Sequence, residues 1–204
     1  MSKPLFISFE GGEGSGKTTL IEKVYAALQG RSLAVLKTRA PGGTKLGESV
    51  RNLVLHSKEL NLDARCELLL FLADRAQHVV EVIVPALKNN TIVLCDRFND
   101  SSIAYQGGAR GLDMNLVWNL CDFACHHVHP NLTLYLDIDP KLGLERVQAA
   151  KDKIESETLQ FHEEIRVTYY QIAKKEPQRV RLLDASRTSE DVFQQAMALI
   201  DAHL

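Results

Sequence analysis

The chain has 204 residues, 45% hydrophobic and 25% charged, with a formal net charge of -2. This size and composition suit one globular α/β domain, residues 1–204, and the balanced charge points to neither nucleic acid nor an anionic membrane as partner. No apolar run approaches the ~20 residues that span a bilayer, and the first nine residues lack the apolar stretch of a signal peptide, so the expected location is the cytoplasm. In that setting Cys66, Cys95, Cys121 and Cys125 are expected as thiols.

Residues 5–9 are apolar and β-prone and read as a buried strand. Glycines follow, and then residues 18–28 place Leu20, Val24 and Leu28 on one helical stripe that Gly30 ends. Residues 33–38 form a second strand, and Pro41, Gly42 and Gly43 a turn. Leu46, Val50, Leu53 and Val54 have helical spacing. A long helix is expected over 63–87, bent or ended by Pro85. Residues 91–95 are a third strand, stopped by Asp96. Residues 106–111 read as a glycine-rich loop, and Asp113 starts a helix that runs to about Cys125. Residues 132–136 are a fourth strand, Pro140 opens another helix, and the charged stretch 149–157 reads as a mobile loop. A helix over 158–175, a strand over 180–183 and a helix over 189–204 complete the chain. Alternating strands and helices, with no internal repeat or linker, predict a five-stranded parallel sheet flanked by helices on both faces.

One motif stands out. Gly11, Gly12, Glu13, Gly14, Ser15, Gly16, Lys17 and Thr18 fit G-x-x-x-x-G-K-[ST], between a predicted strand and a predicted helix. Glycines let backbone N–H groups converge on phosphate oxygens, and the helix N-terminus adds partial positive charge. Lys17 is expected on the β- and γ-phosphates, and the Thr18 hydroxyl on Mg²⁺. By itself the motif says only that a nucleoside triphosphate binds.

Strand ends add more, because the carboxyl edge of a parallel sheet lines the ligand crevice. Arg39 follows the second strand, and Asp96 and Arg97 follow the third. Asp96 is either a strand cap or the second carboxylate of a Mg²⁺ site. Phe71 and Arg75 lie four residues apart, on one helix face. Together these suit a second, smaller phosphate-bearing ligand, since arginine forks grip phosphate and a ring stacks on a base. Taken singly, Phe71 also fits a core position, and Arg75 beside Asp74 a solvated pair.

The stretches FEGGEGSGKTT, TRAPGGT, LLFLADRAQHV, DRFNDSSIAYQGGARG, PNLTLYLDIDP and LLDAS, spread over almost the whole chain, resemble the bacterial thymidylate kinases, P-loop nucleoside monophosphate kinases. The resemblance implies the P-loop kinase fold with a short lid at about 146–157. It also implies transfer of a phosphoryl group from ATP to dTMP, with Mg²⁺, in a homodimer. Gly11 to Thr18 and the adjoining Thr19 would hold ATP, with Arg146 over the adenine and Asp184, Ala185 and Ser186 beside it. Arg39 and Arg97 would hold the dTMP phosphate, Phe71 would stack on thymine, and Arg75 would donate to it. Glu13 would face the sugar and the transfer site, and Ser101, Ser102, Tyr105 and Gln106 the base and sugar. Thr18 and Asp96 would serve the metal.

Two departures stand out against the family pattern. Ala40 replaces a usual Glu. The loop has Gly14 where a cation would otherwise sit, so the lid must supply charge. Arg146, Lys151 and Lys153 are the available cations, and Lys153 is assigned the catalytic part beside Lys17, Arg97, Glu13 and Arg146. Other P-loop kinases and a regulatory NTPase are the rival readings. Finally, Cys121, Cys125, His126, His127 and His129 cluster closely, but without the second spaced pair of a structural zinc site. They read as a packed helix end.

Overall fold

The protein is described here from a computed structural model covering residues 4–57, 59–147 and 153–204. Its five strands are β1 (Phe6–Gly11), β2 (Val35–Arg39), β3 (Ile92–Asp96), β4 (Leu132–Asp137) and β5 (Val180–Asp184). All pair in parallel, in the order β2-β3-β1-β4-β5. The central β1 ends level with its neighbours, since Phe9 pairs with Asp96 and Gly11 with Leu136. Asp96 also lies opposite Arg39, and Asp137 opposite Asp184. The carboxyl ends of the strands therefore form one edge, where a parallel sheet opens its crevice.

Alternation along the strands sorts side chains between the faces. Leu5, Ile7, Phe9, Leu132, Leu134 and Leu136 pack under α1 (Lys17–Gly30) and α9 (Ser189–Asp201). Phe6, Val93 and Cys95 face the other way, onto Val79, Ile83 and Phe98, and Tyr135 beside them packs among α3 (Ala64–His78), α6 (Met114–Ala124) and α8 (Leu159–Lys175). On that face Ser8, Glu10 and Thr133 are fully buried polar residues. Ser8 shares a hydrogen bond with Thr133 (2.7 Å), and Thr133 donates to Asp100, which receives a two-pronged Arg179 (2.7 and 2.9 Å). A polar seam thus runs beneath the segment after β3, every member of it partnered.

Three helical segments depart from the sequence reading. The expected helix over 63–87 is α3, then a π-helical turn (Val79–Ile83), then α4 (Val84–Lys88). Pro85 sits at the start of α4, so the wide turn absorbs the missing N–H and the ring within a continuing helix. α2 (Lys45–Arg51) likewise widens into a π-turn (Asn52–His56).

The expected loop at 106–111 is largely helical. A short α5 (Asn99–Ser102) runs into a π-helix (Ile103–Ala109). Gly107 and Gly108 serve close packing there. A Cβ on Gly108 would lie 2.1 Å from the Thr168 hydroxyl of α8, and one on Gly107 2.6 Å from the Met114 sulfur. The same glycines that read as a turn let two helices approach. Of the expected loop 149–157, residues 149–152 lie outside the described residues, and 153–157 form turns.

Candidate active site

The loop after β1 turns into α1 through Gly16, which has a left-handed φ of 88°. Ser15 donates to the Gly12 carbonyl (2.8 Å), and the Lys17 ammonium to the Gly11 and Gly12 carbonyls (3.0 and 2.9 Å). Burial, and then the nearby Arg97, hold the Lys17 ammonium below the usual lysine range. Gly14 has φ +65°, and a Cβ there would meet the Gly143 carbonyl oxygen at 2.0 Å. Gly143 answers it, because a Cβ on Gly143 would lie 2.3 Å from the Glu13 carbonyl oxygen. Two glycines thus seat α7 (Pro140–Arg146) directly on the phosphate loop. The last residue of α7 is Arg146, whose guanidinium donates to the Ala185 carbonyl (3.1 Å).

Across the crevice, Arg97 takes the left-handed region at φ 68°, a costly conformation for a residue with a Cβ. Its surroundings enforce it. The Arg97 N–H donates to the Phe9 carbonyl (2.9 Å), the Cys95 thiol donates to the Arg97 carbonyl (3.1 Å), and the Phe98 N–H donates to Glu10 (2.7 Å). The second Glu10 oxygen accepts from the hydroxyls of Ser101 (2.6 Å) and Tyr169 (2.8 Å). Burial, and then Asp100, push the Glu10 carboxyl above the usual carboxylate range. Glu10 thereby ties the strained turn to the central strand.

The turn aims the Arg97 guanidinium at Glu13 (2.7 Å) and at the Tyr105 hydroxyl (3.0 Å), which also donates to Glu13 (3.2 Å). Burial works to raise the Glu13 carboxyl, but Arg97 and then Lys17 outweigh it and hold it below the usual range. Arg75 is 2% exposed and stacks over Phe98 at 4.4 Å, while its Nε and Nη1 have no hydrogen-bond partner. A buried guanidinium with unused donors is costly unless something occupies them. The neighbouring Asp74 is also buried, and burial pushes its carboxyl up to about 6. Asp74 and Arg75 are therefore not a solvated surface pair. Phe71 packs on Val50, Val54 and Leu55 and so serves the core and the cavity wall at once.

These residues enclose one cavity of about 420 Å³. Residues 13–19 line one end, with Arg146. Phe71, Arg75, Ser101, Ser102, Tyr105 and Gln106 line the other end, with Ala40, Asp96 and Arg97 also in the wall. The Asp96 Oδ1 is buried without a hydrogen-bond partner. Gln106 donates to Glu67 (2.9 Å).

Several expected site residues stand elsewhere. Arg39 pairs with Glu48 (2.9 Å), half exposed, outside the cavity lining. Arg51, held by the Pro41 carbonyl (3.1 Å), lines the cavity instead. Lys153 donates to the Leu60 carbonyl and lines a separate groove with Glu67 and Arg110, so it does not face the cavity. Lys151 lies outside the described residues. Asp184 holds Ser186 and Arg187, and neither Asp184, Ala185 nor Ser186 lines the cavity; Ala185 meets it only through Arg146.

Known proteins resemble this chain along almost its whole length. Residues 9–196 match the family model described as thymidylate kinase. The thymidylate kinase of Protochlamydia amoebophila is 46% identical over 98% of this chain and 93% of its own length. That of Geobacillus thermodenitrificans is 45% identical over 98% and 90%. A crystal structure of thymidylate kinase from Ehrlichia chaffeensis superposes with a TM-score of 0.78 at 37% identity, covering 96% of this chain and 98% of that one. The chain belongs to the thymidylate kinase family. It is therefore a kinase that phosphorylates dTMP to dTDP.

The residue roles implied by the resemblance leave out Glu10, Tyr169, Gly143 and Arg51, yet each shapes the site. Glu10 carries a readable signal, since Ser8 and Glu10 break the apolar pattern at alternate positions of a buried strand. Gly143 and Tyr169 carry none, because their importance comes from contacts made only in the folded chain.

Proposed function

We propose that residues 1–204 form one catalytic domain that transfers the γ-phosphoryl of ATP in line to the 5′-phosphate of dTMP. The observation that carries this reading is the single cavity joining the phosphate loop to Phe71 and Arg75, with Arg97 in its wall. Glycine-loop N–H groups, Lys17 and Arg146 take the donor. Arg97 and Arg51 draw the acceptor phosphate in, Phe71 stacks on thymine, and the free Arg75 donors meet a ring carbonyl. Tyr105, braced by Arg97 and Glu13, packs where a ribose 2′-hydroxyl would project. A phosphate oxygen is already a nucleophile near neutral pH, so the protein supplies alignment and charge.

Thr18 and the unpartnered Asp96 Oδ1 fit Mg²⁺ on the donor phosphates, where the ion would neutralise developing charge. Arg146 is the lid cation among the described residues that lines the cavity.

The packed pair α3 and α6 leaves Leu69 58%, Leu116 54% and Phe123 78% exposed, which supports a second copy of the chain covering this face. No helix among the described residues is long and apolar enough to cross a membrane. The proposed location is the cytoplasm.

A coupled ADP-release assay over dTMP, dUMP, dCMP, dGMP and AMP tests the reading. Fast turnover confined to dTMP, with dUMP well behind, is expected. Equal rates across the panel, or ADP release without any acceptor, would overturn it.

A further inference from the structure

The catalytic crevice occupies the carboxyl edge of the sheet. At the opposite edge, between the end of α6 and the start of β4, lies a second cluster of chemically active side chains. His126 and His127 take left-handed φ values of 50° and 58° and fold the chain back over the helix end. That reversal brings His127 Nδ1 within 2.7 Å of Asp122 Oδ2 and His129 Nε2 within 2.8 Å of Asp122 Oδ1. One Asp122 oxygen, the Cys125 sulfur and one His129 ring nitrogen all lie within 4.8 Å of one another. Cys121 is not part of this cluster. Its side chain packs in the core with Val117 and Tyr169. Asp122, which the cysteine-histidine pattern passes over, takes its place.

We propose that Asp122, Cys125 and His129 bind a divalent ion of the Zn²⁺ class, with solvent in the fourth place. The donor set decides the class. One thiolate, one imidazole and one carboxylate, with water as the fourth ligand, suit a four-coordinate Zn²⁺ or Co²⁺ site, whereas Mg²⁺ and Ca²⁺ take oxygen cages. A metal-bound thiolate needs an outer hydrogen bond, and Asn99 Nδ2 already donates to the Cys125 sulfur at 3.2 Å. Cys125 is fully buried and the two histidines are exposed, so the site is anchored on one side and open to entry on the other. On binding, the sulfur–metal bond forms as the thiol proton leaves to solvent. The ion then replaces the direct contact between His129 and Asp122. Nothing in this site touches the cavity described above.

The test uses the full chain, stripped with a chelator and free of nucleotide, titrated with Co²⁺. Expected are binding of one equivalent, a near-ultraviolet sulfur-to-cobalt band, displacement by Zn²⁺ and indifference to excess Mg²⁺. The exposed His129→Ala variant should keep the fold by circular dichroism and bind about tenfold or more weakly. Cys125→Ser should lose the near-ultraviolet band, and Cys66→Ser should keep it. No saturable Co²⁺ binding by the native chain would overturn the proposal. So would unchanged affinity in His129→Ala, a band that survives Cys125→Ser, or displacement of Co²⁺ by equimolar Mg²⁺.

Discussion

The two ends of the cavity are built by different means. The donor end is mostly backbone. One unbroken run, Gly11 to Thr19, supplies a loop, a helix start and a lysine, and α7 seats on it through Gly14 and Gly143. The acceptor end is mostly side chains, brought from α2, α3, the turn after β3 and the π-helix. Its central residue, Arg97, is held in a strained conformation by a buried glutamate. A triphosphate tail offers the same chemistry in every nucleotide, so a backbone cradle suffices to hold it. A particular base and sugar need placed side chains, and placing them requires a second layer beneath.

Substitutions at the two ends should therefore fail in different ways. Arg97→Ala should have the largest effect, a fall in kcat of about 10³-fold or more, measured by ADP release at saturating substrates. A loss under tenfold would remove Arg97 from the centre of the site. Gly14→Ala comes next. Its new Cβ meets the Gly143 carbonyl, so the loop and α7 must part, and kcat should fall about 10²-fold. A variant of near-native rate would show that the loop–α7 contact is dispensable. Phe71→Ala should raise the KM for dTMP about tenfold with the KM for ATP unchanged. An unchanged dTMP KM would confine the ring to the core cluster with Val50 and Leu55.

A fourth effect is on stability. Asp74 is buried behind Arg75 with its carboxyl raised to about 6. The native state thus holds the proton more tightly than the unfolded chain, where the value is 3.8. Its contribution is full below about pH 4 and is lost as pH rises through about 6. Between those limits the native chain should lose up to about 3 kcal/mol relative to Asp74→Asn. His78, which burial pushes down to about 4, titrates with the opposite sign in both proteins and cancels in the comparison. Urea unfolding at several pH values measures the difference, and a constant difference would contradict the assignment.

The same contrast explains what the sequence could reveal. The five strands and the donor loop were legible because both rest on local pattern, apolar runs for the strands and a glycine-rich turn between strand and helix for the loop. The π-helix was not legible. Gly107 and Gly108 read as loop residues because Thr168 and Met114, which require them, are their neighbours only in the fold. Arg39 and Arg51 flank the same turn, and the sequence reading named only Arg39. Glu48 decides otherwise by drawing Arg39 outward. Lys153 reads as a lid cation, yet it turns to the Leu60 carbonyl. Phe71, Arg75, Tyr105 and Gln106 were legible mainly through whole-chain resemblance, since nothing in their own spacing distinguishes a cavity wall from a core.

Glu10 offers the most direct test that the acceptor end depends on its buried layer. Glu10→Gln keeps the size of the side chain but leaves one oxygen for the three donors of Phe98, Ser101 and Tyr169. Calorimetric titration should show a non-hydrolysable ATP analogue binding with unchanged Kd and dTMP binding about tenfold more weakly. Equal weakening of both ligands, or no change in either, would contradict a donor end of backbone and an acceptor end of braced side chains.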